Sequence, residues 1–264
     1  MTAGRTYIQR SFTFLGDEGD AQKAGSDETS RQPDGVTLFG PPQPAMEDGQ
    51  LSFLAPPPGN GSSAIAAADS AAGEPALAWD SLDDLALAVA GCTACRLRGG
   101  CTQVVFGEGD PRAMVMFVGE GPGETEDQLG RPFVGRAGQL LDRILTASGF
   151  ERGEVYIANV VKCRPPGNRQ PSPEEAEACL PWLRAQIRLI RPRLVVCLGA
   201  AATGILIDPR LRITSARGKW HERNGLRYMP TFHPAALLRD PSKKRAVWED
   251  MKNVRAEYER LRGR

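Results

Sequence analysis

Three groups of residues in this 264-residue chain have types and spacings that could do chemistry. The first is the acidic, glycine-rich stretch 119–127, GEGPGETED, which is followed by Phe133. It comes after the apolar run 114–118, a predicted buried strand, so it lies where α/β sheets bind ligands. It is too acidic for a phosphate loop and lacks the P-loop lysine. The stretch suits a small neutral ring held against Phe133 and a carboxylate that acts on water; a solvated Gly/Pro turn is the alternative.

The cysteines form the second group. Four of them come from two separated pieces of chain and could close one tetrahedral site, namely Cys92, Cys95, Cys163 and Cys179. Their residue types alone leave zinc, an iron–sulfur cluster and uncoordinated thiols all open. Cys101 lies close enough in sequence to Cys95 to compete as a ligand, whereas Cys197 sits in an apolar run and is assigned to the core.

The third group is the stretch 231–239, TFHPAALLR, which contains His233. We place this histidine at the end of a predicted strand, on the same sheet edge as the acidic stretch, and Pro234 fixes the exit of the chain. A lone histidine at a strand end is more often a surface hydrogen bonder, which is the alternative. The other histidine, His221, has no such setting and is assigned a structural role.

The elements that must position these groups alternate along the chain. Strands are predicted at 102–107, 114–118, 155–161, 194–198 and 227–232, and helices from Ser81 to Gly91, at 137–148, at 173–190 and at the C-terminus. Strands that alternate with helices favour a parallel sheet covered on both faces. The predicted fold class is therefore α/β, a three-layer α/β/α domain with a central, mainly parallel sheet.

Charge and composition divide the chain at about residue 78. Residues 1–78 hold 4 Lys/Arg and 10 Asp/Glu, and their Gly/Pro/Ala/Ser-rich composition predicts a disordered tail. Residues 79–264 hold 29 Lys/Arg and 22 Asp/Glu, a mild basic excess that fits a nucleic-acid partner. In the tail, 50–54 loosely resembles peptides that dock on the bacterial sliding clamp, and we hypothesise such a contact. The chain has no secretory signal and no run of 18 apolar residues, so we expect no membrane association and a cytoplasmic protein.

Together these motifs resemble the type 4 iron–sulfur uracil-DNA glycosylases of the uracil-DNA glycosylase superfamily. The resemblance covers about residues 90–259 and includes 131–135 and 159–166 besides the three groups. It implies a monomeric, nucleoid-associated enzyme that hydrolyses the N-glycosidic bond of uracil, a product of cytosine deamination, in single- or double-stranded DNA. The abasic product would initiate base excision repair. The resemblance also implies a structural 4Fe-4S cluster on Cys92, Cys95, Cys163 and Cys179.

The resemblance further implies roles at the base. Phe133 would stack on the extruded uracil and Asn159 would read its N3 and O4 edge. Gly121 would belong to the same binding loop, and Glu126 would crowd C5 to keep the methyl group of thymine out.

Catalysis is assigned to two residues. His233 and backbone N–H groups of the loop would stabilise charge on uracil O2, and Glu120, ionised with an ordinary pKa, would orient the attacking water. Leu237 and Arg239 would fill or border the gap in the DNA as a wedge.

Two other classes of function remain open. One is a non-catalytic module that binds uracil or single-stranded DNA and recruits partners. The other is a metal-bearing DNA-processing domain related to polymerases. A related subgroup traps uracil covalently through a histidine in a basic loop, but residues 162–169 contain no histidine, which argues against that chemistry here.

Overall fold

The computed structural model describes residues 79–263. The predicted tail and the clamp-like segment 50–54 lie outside the described residues. None of the helices within 79–263 has both the length and the apolar composition needed to cross a membrane.

A six-stranded sheet forms the centre of the domain. Its strands are β1 Glu108–Gly109, β2 Val115–Gly119, β3 Tyr156–Asn159, β4 Leu194–Leu198, β5 His221–Arg223 and β6 Leu226–Thr231. They are ordered β1-β3-β2-β4-β6-β5. The four central strands are parallel, and the two edge strands pair antiparallel to their neighbours. The carboxyl ends of β2, β3, β4 and β6 therefore meet at one edge, as the sequence predicts.

Eight α-helices are described within 79–263, besides four short 3-10 helices. The α-helices are α1 Leu82–Ala90, α2 Glu124–Leu129, α3 Arg136–Ala147, α4 Pro173–Ile190, α5 Ala200–Leu206, α6 Ile213–Ala216, α7 Pro234–Arg239 and α8 Lys244–Arg262. Local signals set several of their ends. Ser81 caps α1 by accepting from the N–H of Asp84 at 3.1 Å, and Ser172 opens α4 with Glu175 in a capping box.

Both faces of the sheet are covered by helices. On β2, Met116 and Val118 point to a cluster that includes residues of α4 and α5, while Val115 and Phe117 point to a cluster with residues of α3, α7 and α8. The alternation follows from the two-residue period of a strand. α1 adds Leu85 to a smaller cluster with Ala185 of α4. The three-layer α/β/α prediction is confirmed.

Two local predictions are wrong. Residues 102–107 do not form a strand, although the N–H of Val105 donates to Lys162 O at 2.8 Å. Gly107 has φ +138° and Gly109 has φ +133°, and these turns leave only the two-residue β1 to pair with β3. The stretch 119–127 is also not a loop throughout, because its second half begins α2.

Candidate active site and cysteine site

A cavity of about 740 Å³ lies at the carboxyl ends of the parallel strands. Seven residues that the sequence singles out line it, namely Glu120, Gly121, Glu126, Phe133, Asn159, His233 and Arg239. They come from three separate stretches of chain, and the sheet topology brings them together because β2, β3 and β6 end on the same side. The placement of these residues in one cavity agrees with the expectation from the sequence.

Asn159 ends β3 and is buried at 1% exposure. Within the described part of the chain its Oδ1 has no hydrogen-bond partner, although buried polar atoms usually have one. Gly119 lies opposite it in the sheet, and a Cβ on this glycine would come within 2.5 Å of both Asn159 Oδ1 and Phe133 Cζ. A side chain at position 119 would therefore separate the amide from the ring, and glycine lets both face one cavity.

Phe133 forms the aromatic wall of the cavity. Its ring centroid lies 5.6 Å from that of His233, and its backbone has φ +52°, which is uncommon for an aromatic residue. The strained backbone is fixed from two sides. Arg152 donates to the carbonyl oxygens of Pro132 at 2.5 Å and Phe133 at 3.2 Å, and Gly138 approaches so closely that a Cβ there would lie 1.9 Å from Phe133 O. The ring is thus held in place before any ligand arrives.

Glu126 has a supporting role that sequence reasoning missed. Its Oε1 accepts from the N–H groups of Val134 at 2.9 Å and Gly135 at 2.8 Å, so this carboxylate of α2 fixes the turn after Phe133. Gly123 makes room for it, because a Cβ there would lie 2.6 Å from Glu126 Oε2. No signal in the sequence distinguishes such a carboxylate from one that faces a ligand.

Glu120 follows β2 directly and is half-buried. Its carbonyl accepts from the N–H of Val161 at 3.1 Å, which ties the loop to the segment after β3. Burial raises the pKa of the Glu120 carboxyl, and a hydrogen bond with the Gln170 side chain opposes this rise. The ordinary pKa assumed from the sequence is therefore wrong for this residue, and the raised value makes its carboxylate a stronger base.

His233 is the N-cap of α7, and its Nδ1 accepts from the N–H of Ala235 at 3.1 Å. The pKa of His233 is lowered to about 4, mainly by burial and then by the charge of Arg239, while Glu126 opposes the change. The imidazole is therefore neutral at neutral pH. Because Nδ1 is an acceptor, the single ring proton is on Nε2, and that N–H is the donor the ring can offer to a ligand.

The residues predicted to enter the DNA divide into two kinds. Arg239 is exposed and lines the cavity. Leu237 is 1% exposed and packs in the core that α7 shares with α3 and α8, so its role as a wedge stays a prediction that this buried position does not favour. An inserted side chain has to be free at the surface, and on α7 the exposed leucine is Leu238, at 39%.

Further residues line the cavity that the sequence analysis did not single out. Asn168, Arg169 and Gln170 follow β3, and Lys243 precedes α8. Arg169 is held by Glu175, with Nη1–Oε2 and Nη2–Oε1 distances of 2.8 and 2.7 Å. The sequence could have indicated that residues 168–170 line the cavity, because they come soon after the end of a predicted strand.

The four predicted ligand cysteines, Cys92, Cys95, Cys163 and Cys179, line a second cavity of about 20 Å³. Two backbone N–H groups donate to their sulfurs, from Lys162 to Cys179 at 3.3 Å and from Ala94 to Cys92 at 3.5 Å. Cys101 lies beside Cys163 and Arg98 but does not line this cavity, and Cys197 is buried in β4. Within residues 79–263, no three His, Cys, Asp or Glu side chains are arranged to hold a single metal ion.

Comparisons with known proteins identify the family of the chain. A model of the uracil DNA glycosylase superfamily matches residues 106–252. The type-4 uracil-DNA glycosylase of Thermotoga maritima is 50% identical over 171 residues, 62% of this chain and 88% of that protein. That of Archaeoglobus fulgidus is 40% identical over 183 residues, 66% of this chain and 92% of that protein. A DNA polymerase of Bacillus phage SP01 is 32% identical over 136 residues, 51% of this chain but only 15% of that protein. The chain therefore belongs to the type-4 uracil-DNA glycosylases of the uracil-DNA glycosylase superfamily.

Proposed function

We propose that this enzyme hydrolyses the N-glycosidic bond between uracil and deoxyribose in DNA and leaves an abasic site. The observation that carries the proposal is the buried Asn159 carboxamide, whose Oδ1 has no partner among residues 79–263 and which shares its cavity with Phe133 and His233. A buried acceptor without a partner costs free energy, and a ligand that donates to it removes the cost. Membership of a glycosylase family supports the same activity.

Base recognition follows from the hydrogen-bonding pattern of the carboxamide. Oδ1 of Asn159 would accept from N3–H of uracil, and Nδ2 would donate to O4. Cytosine has an acceptor at N3 and an amino group at C4. Oδ1 of the same amide would then face the acceptor N3, and Nδ2 would face the amino donor, so neither hydrogen bond could form. A fixed amide that loses both bonds discriminates strongly.

Shape adds to this recognition. The Phe133 ring would stack on the extruded base, a contact worth roughly 1–3 kcal/mol. Glu126 would crowd the C5 position and exclude the methyl group of thymine while its Oε1 stays bound to Val134 and Gly135. Gly121 lines the cavity, and its backbone would contact the base.

The uracil has to leave the base stack to reach this cavity, which costs a few kcal/mol and least in single strands or mispairs. Arg239 lies at the cavity and would meet the DNA backbone. Leu238, the exposed leucine of α7, takes over the wedge role that the sequence assigned to its neighbour.

Cleavage of the bond leaves negative charge on uracil O2 and positive charge on the sugar. The Nε2–H of His233 would donate to O2 as that charge develops, and one such donor is typically worth about 10²–10³ in rate. Glu120 would orient water towards C1′ and favour the cationic sugar. The water oxygen forms the new bond to C1′, and one water proton passes to the Glu120 carboxylate. Uracil leaves with the electrons of the broken bond.

The four cysteines fit a 4Fe-4S cluster better than a single ion. They surround one cavity yet are not arranged around one point, and in such a cluster each cysteine binds a different iron. The N–H donors to Cys92 and Cys179 are those that bound thiolates use. When bound, the cluster would join the end of α1, the segment after β3 and α4, and thereby hold the DNA-facing chain together.

The activity is tested with purified, iron-containing protein on oligonucleotides that carry one uracil, either single-stranded or opposite guanine or adenine. Alkaline cleavage reports the abasic product. We expect excision by the wild type and a loss of about 10²-fold or more in His233→Asn, which keeps an N-cap acceptor but loses the Nε2 donor. The matched control is His221→Asn, at the other histidine, which should excise normally. Iron-loaded wild type that excises no uracil would overturn the proposal.

A place in DNA repair follows from the product. Uracil opposite guanine arises from cytosine deamination, and an abasic site needs cleavage, resynthesis and ligation, which is the course of base excision repair. The segment 50–54, QLSFL, supports a further hypothesis of docking on the sliding clamp. Equal clamp binding after Leu51→Ala and Phe53→Ala would contradict it.

A further inference from the structure

Lys162 is a fully enclosed lysine between the two cavities. It is 1% exposed, and its Nζ donates to the carbonyl oxygen of Asn159 at 2.9 Å and to Oε1 of Gln186 at 2.5 Å. Gln186 is itself 0% exposed, and its amide donates to Phe106 O at 3.0 Å and to the Tyr156 hydroxyl at 3.3 Å. The ammonium group therefore joins the base-reading strand β3 to the cysteine-bearing helix α4.

The charge of Lys162 has an unusual setting. Both acceptors of its Nζ are neutral oxygens, and within 79–263 no carboxylate forms an ion pair with it. Burial of a cation costs free energy unless an opposite charge offsets it, and an apolar side chain of the same length would fill this space without that cost. The two hydrogen bonds that the ammonium group donates are therefore what this lysine adds over an apolar residue.

The backbone around Lys162 connects the same two places. Its N–H donates to the sulfur of Cys179 at 3.3 Å. The preceding N–H groups, of Val160 and Val161, donate to Gly119 O at 2.9 Å and to Glu120 O at 3.1 Å, in the loop that lines the active-site cavity. The segment 159–162 thus begins with the base-reading amide, continues with two contacts to residues 119 and 120, and ends at a predicted cluster ligand.

We propose that Lys162 is a positioning residue that holds the Asn159 main chain, and with it the base-reading carboxamide, against the cysteine-bearing helix. The inference rests on the proposed function, since it concerns how uracil is selected. Lys162 does not touch the substrate and acts through Asn159.

The test compares Lys162→Met with Lys252→Met, a matched change at an exposed lysine of α8 that pairs with Glu249. Both variants and the wild type are first checked for iron content and melting temperature. The decisive readout is the ratio of affinities for two oligonucleotides, one with an uncleavable 2′-fluoro-2′-deoxyuridine and one with thymidine at the same place. Steady-state kinetics on cleavable uracil DNA complete the comparison.

We expect the affinity ratio of Lys162→Met to fall towards one and its kcat/KM to drop by about 10- to 100-fold, the usual effect of removing a group that orients a ligand-binding side chain. The rise in KM should exceed the fall in kcat, because base reading is lost before the chemical step. Lys252→Met should match the wild type. A purely structural role would lower the melting temperature and leave the ratio unchanged, and that result in iron-loaded Lys162→Met would overturn the inference.

Gln186→Met provides the test if Lys162→Met does not fold. It removes the tie to α4 and leaves the bond from Nζ to Asn159, so the ratio should fall in the same direction by a smaller factor, and an unchanged ratio would overturn the inference. The wild-type data separate the two proposals. Wild type that excises no uracil refutes the proposed function, whereas wild-type excision with unaltered selectivity in the variants refutes only the role of Lys162.

Discussion

The two strand ends that face each other across the cavity are each supported by one buried charged residue, and the two charges are compensated differently. Behind β6, Asp250 is 1% exposed and accepts from the Thr231 hydroxyl at 2.6 Å and from Arg217 Nε at 3.0 Å. Behind β3, the ammonium group of Lys162 donates to the neutral oxygens of Asn159 and Gln186. The histidine side of the cavity thus has a buried ion pair, whereas the asparagine side has a lysine held by two hydrogen bonds to neutral groups.

This difference separates the two tasks of the enzyme. His233 comes two residues after Thr231, whose hydroxyl donates to Asp250, and a Cβ at Gly218 would lie only 2.6 Å from Asp250 Oδ1, so the surroundings of Asp250 are tightly packed. Asn159 depends on a segment whose other end contacts Cys179. Loss of a bound cluster should therefore disturb base selection before it disturbs the histidine.

Among the charged residues, the largest expected effect is that of Asp250→Ala. It leaves the Arg217 guanidinium and the Thr231 hydroxyl without their partner, and breaking a buried ion pair in this way costs roughly 3 kcal/mol, the lower end of the usual range because Arg217 keeps 22% side-chain exposure. Chemical denaturation measures the loss. If the histidine side is self-sufficient, the loss will be equal in iron-loaded and iron-depleted protein.

A matched control for this prediction is Asp208→Ala. Asp208 pairs with Arg210 at the surface, where the arginine is 89% exposed, so the change should have little effect on the free energy of unfolding. A loss in Asp250→Ala that shrinks when iron is removed would mean that the histidine side also depends on the cysteine site, and the contrast between the two sides would fail.

Adjacent leucines of α7 give the next largest contrast. Leu237→Ala should lower the free energy of unfolding by about 2–5 kcal/mol, since it opens a cavity in the core, whereas Leu238→Ala should change it by no more than about 0.5 kcal/mol. Leu238→Ala should instead reduce excision from duplex DNA more than from single strands, which have no gap to fill. Equal excision by Leu238→Ala on both substrates would exclude a wedge at this position.

These leucines also show what sequence reasoning could and could not reach. Helix α4 and strand β4 were predicted with their observed bounds, 173–190 and 194–198, because a capping box, a proline and an unbroken apolar run mark them locally. The facing direction of Leu237 depends on how α7 packs against α3 and α8, which no local pattern records. The burial of Lys162 could not be predicted either, because it also depends on tertiary packing and because most lysines are exposed.

The side chains that line the cavity could be predicted from the sequence, whereas the contacts that hold them in place could not. Strand-end positions placed Asn159 and His233 on one edge, since parallel strands share their carboxyl ends. The hydrogen bonds of Glu126 to the turn after Phe133, and the positive φ of that phenylalanine, arise only when separate pieces of chain meet. The sequence could therefore name these side chains without showing what holds them.

The pH dependence of stability gives a smaller effect that belongs to the histidine side alone. The pKa of His233 is about 4 in the folded protein and near 6.5 when unfolded, so between these values the unfolded chain binds more protons. The histidine therefore contributes stability above about pH 6.5 that is lost as the pH falls towards 4. His233→Asn should show a flatter decline in the free energy of unfolding over this window, and a decline as steep as that of the wild type would contradict the low pKa.

The smallest expected effect is a shift in the acid limb of the pH–rate profile. Burial raises the pKa of Glu120 and the hydrogen bond with Gln170 opposes the rise, so Gln170→Leu leaves burial unopposed. The carboxylate would then be protonated at a higher pH, and the acid limb of kcat/KM should move upward. Gln103→Leu is the control, because its amide donates to Gln128 O and not to Glu120. If the acid limb stays in place in Gln170→Leu, Glu120 is not the group that activates the water. An upward shift with unchanged uracil selectivity would show that the pKa of Glu120 can be changed without affecting how Asn159 recognises uracil.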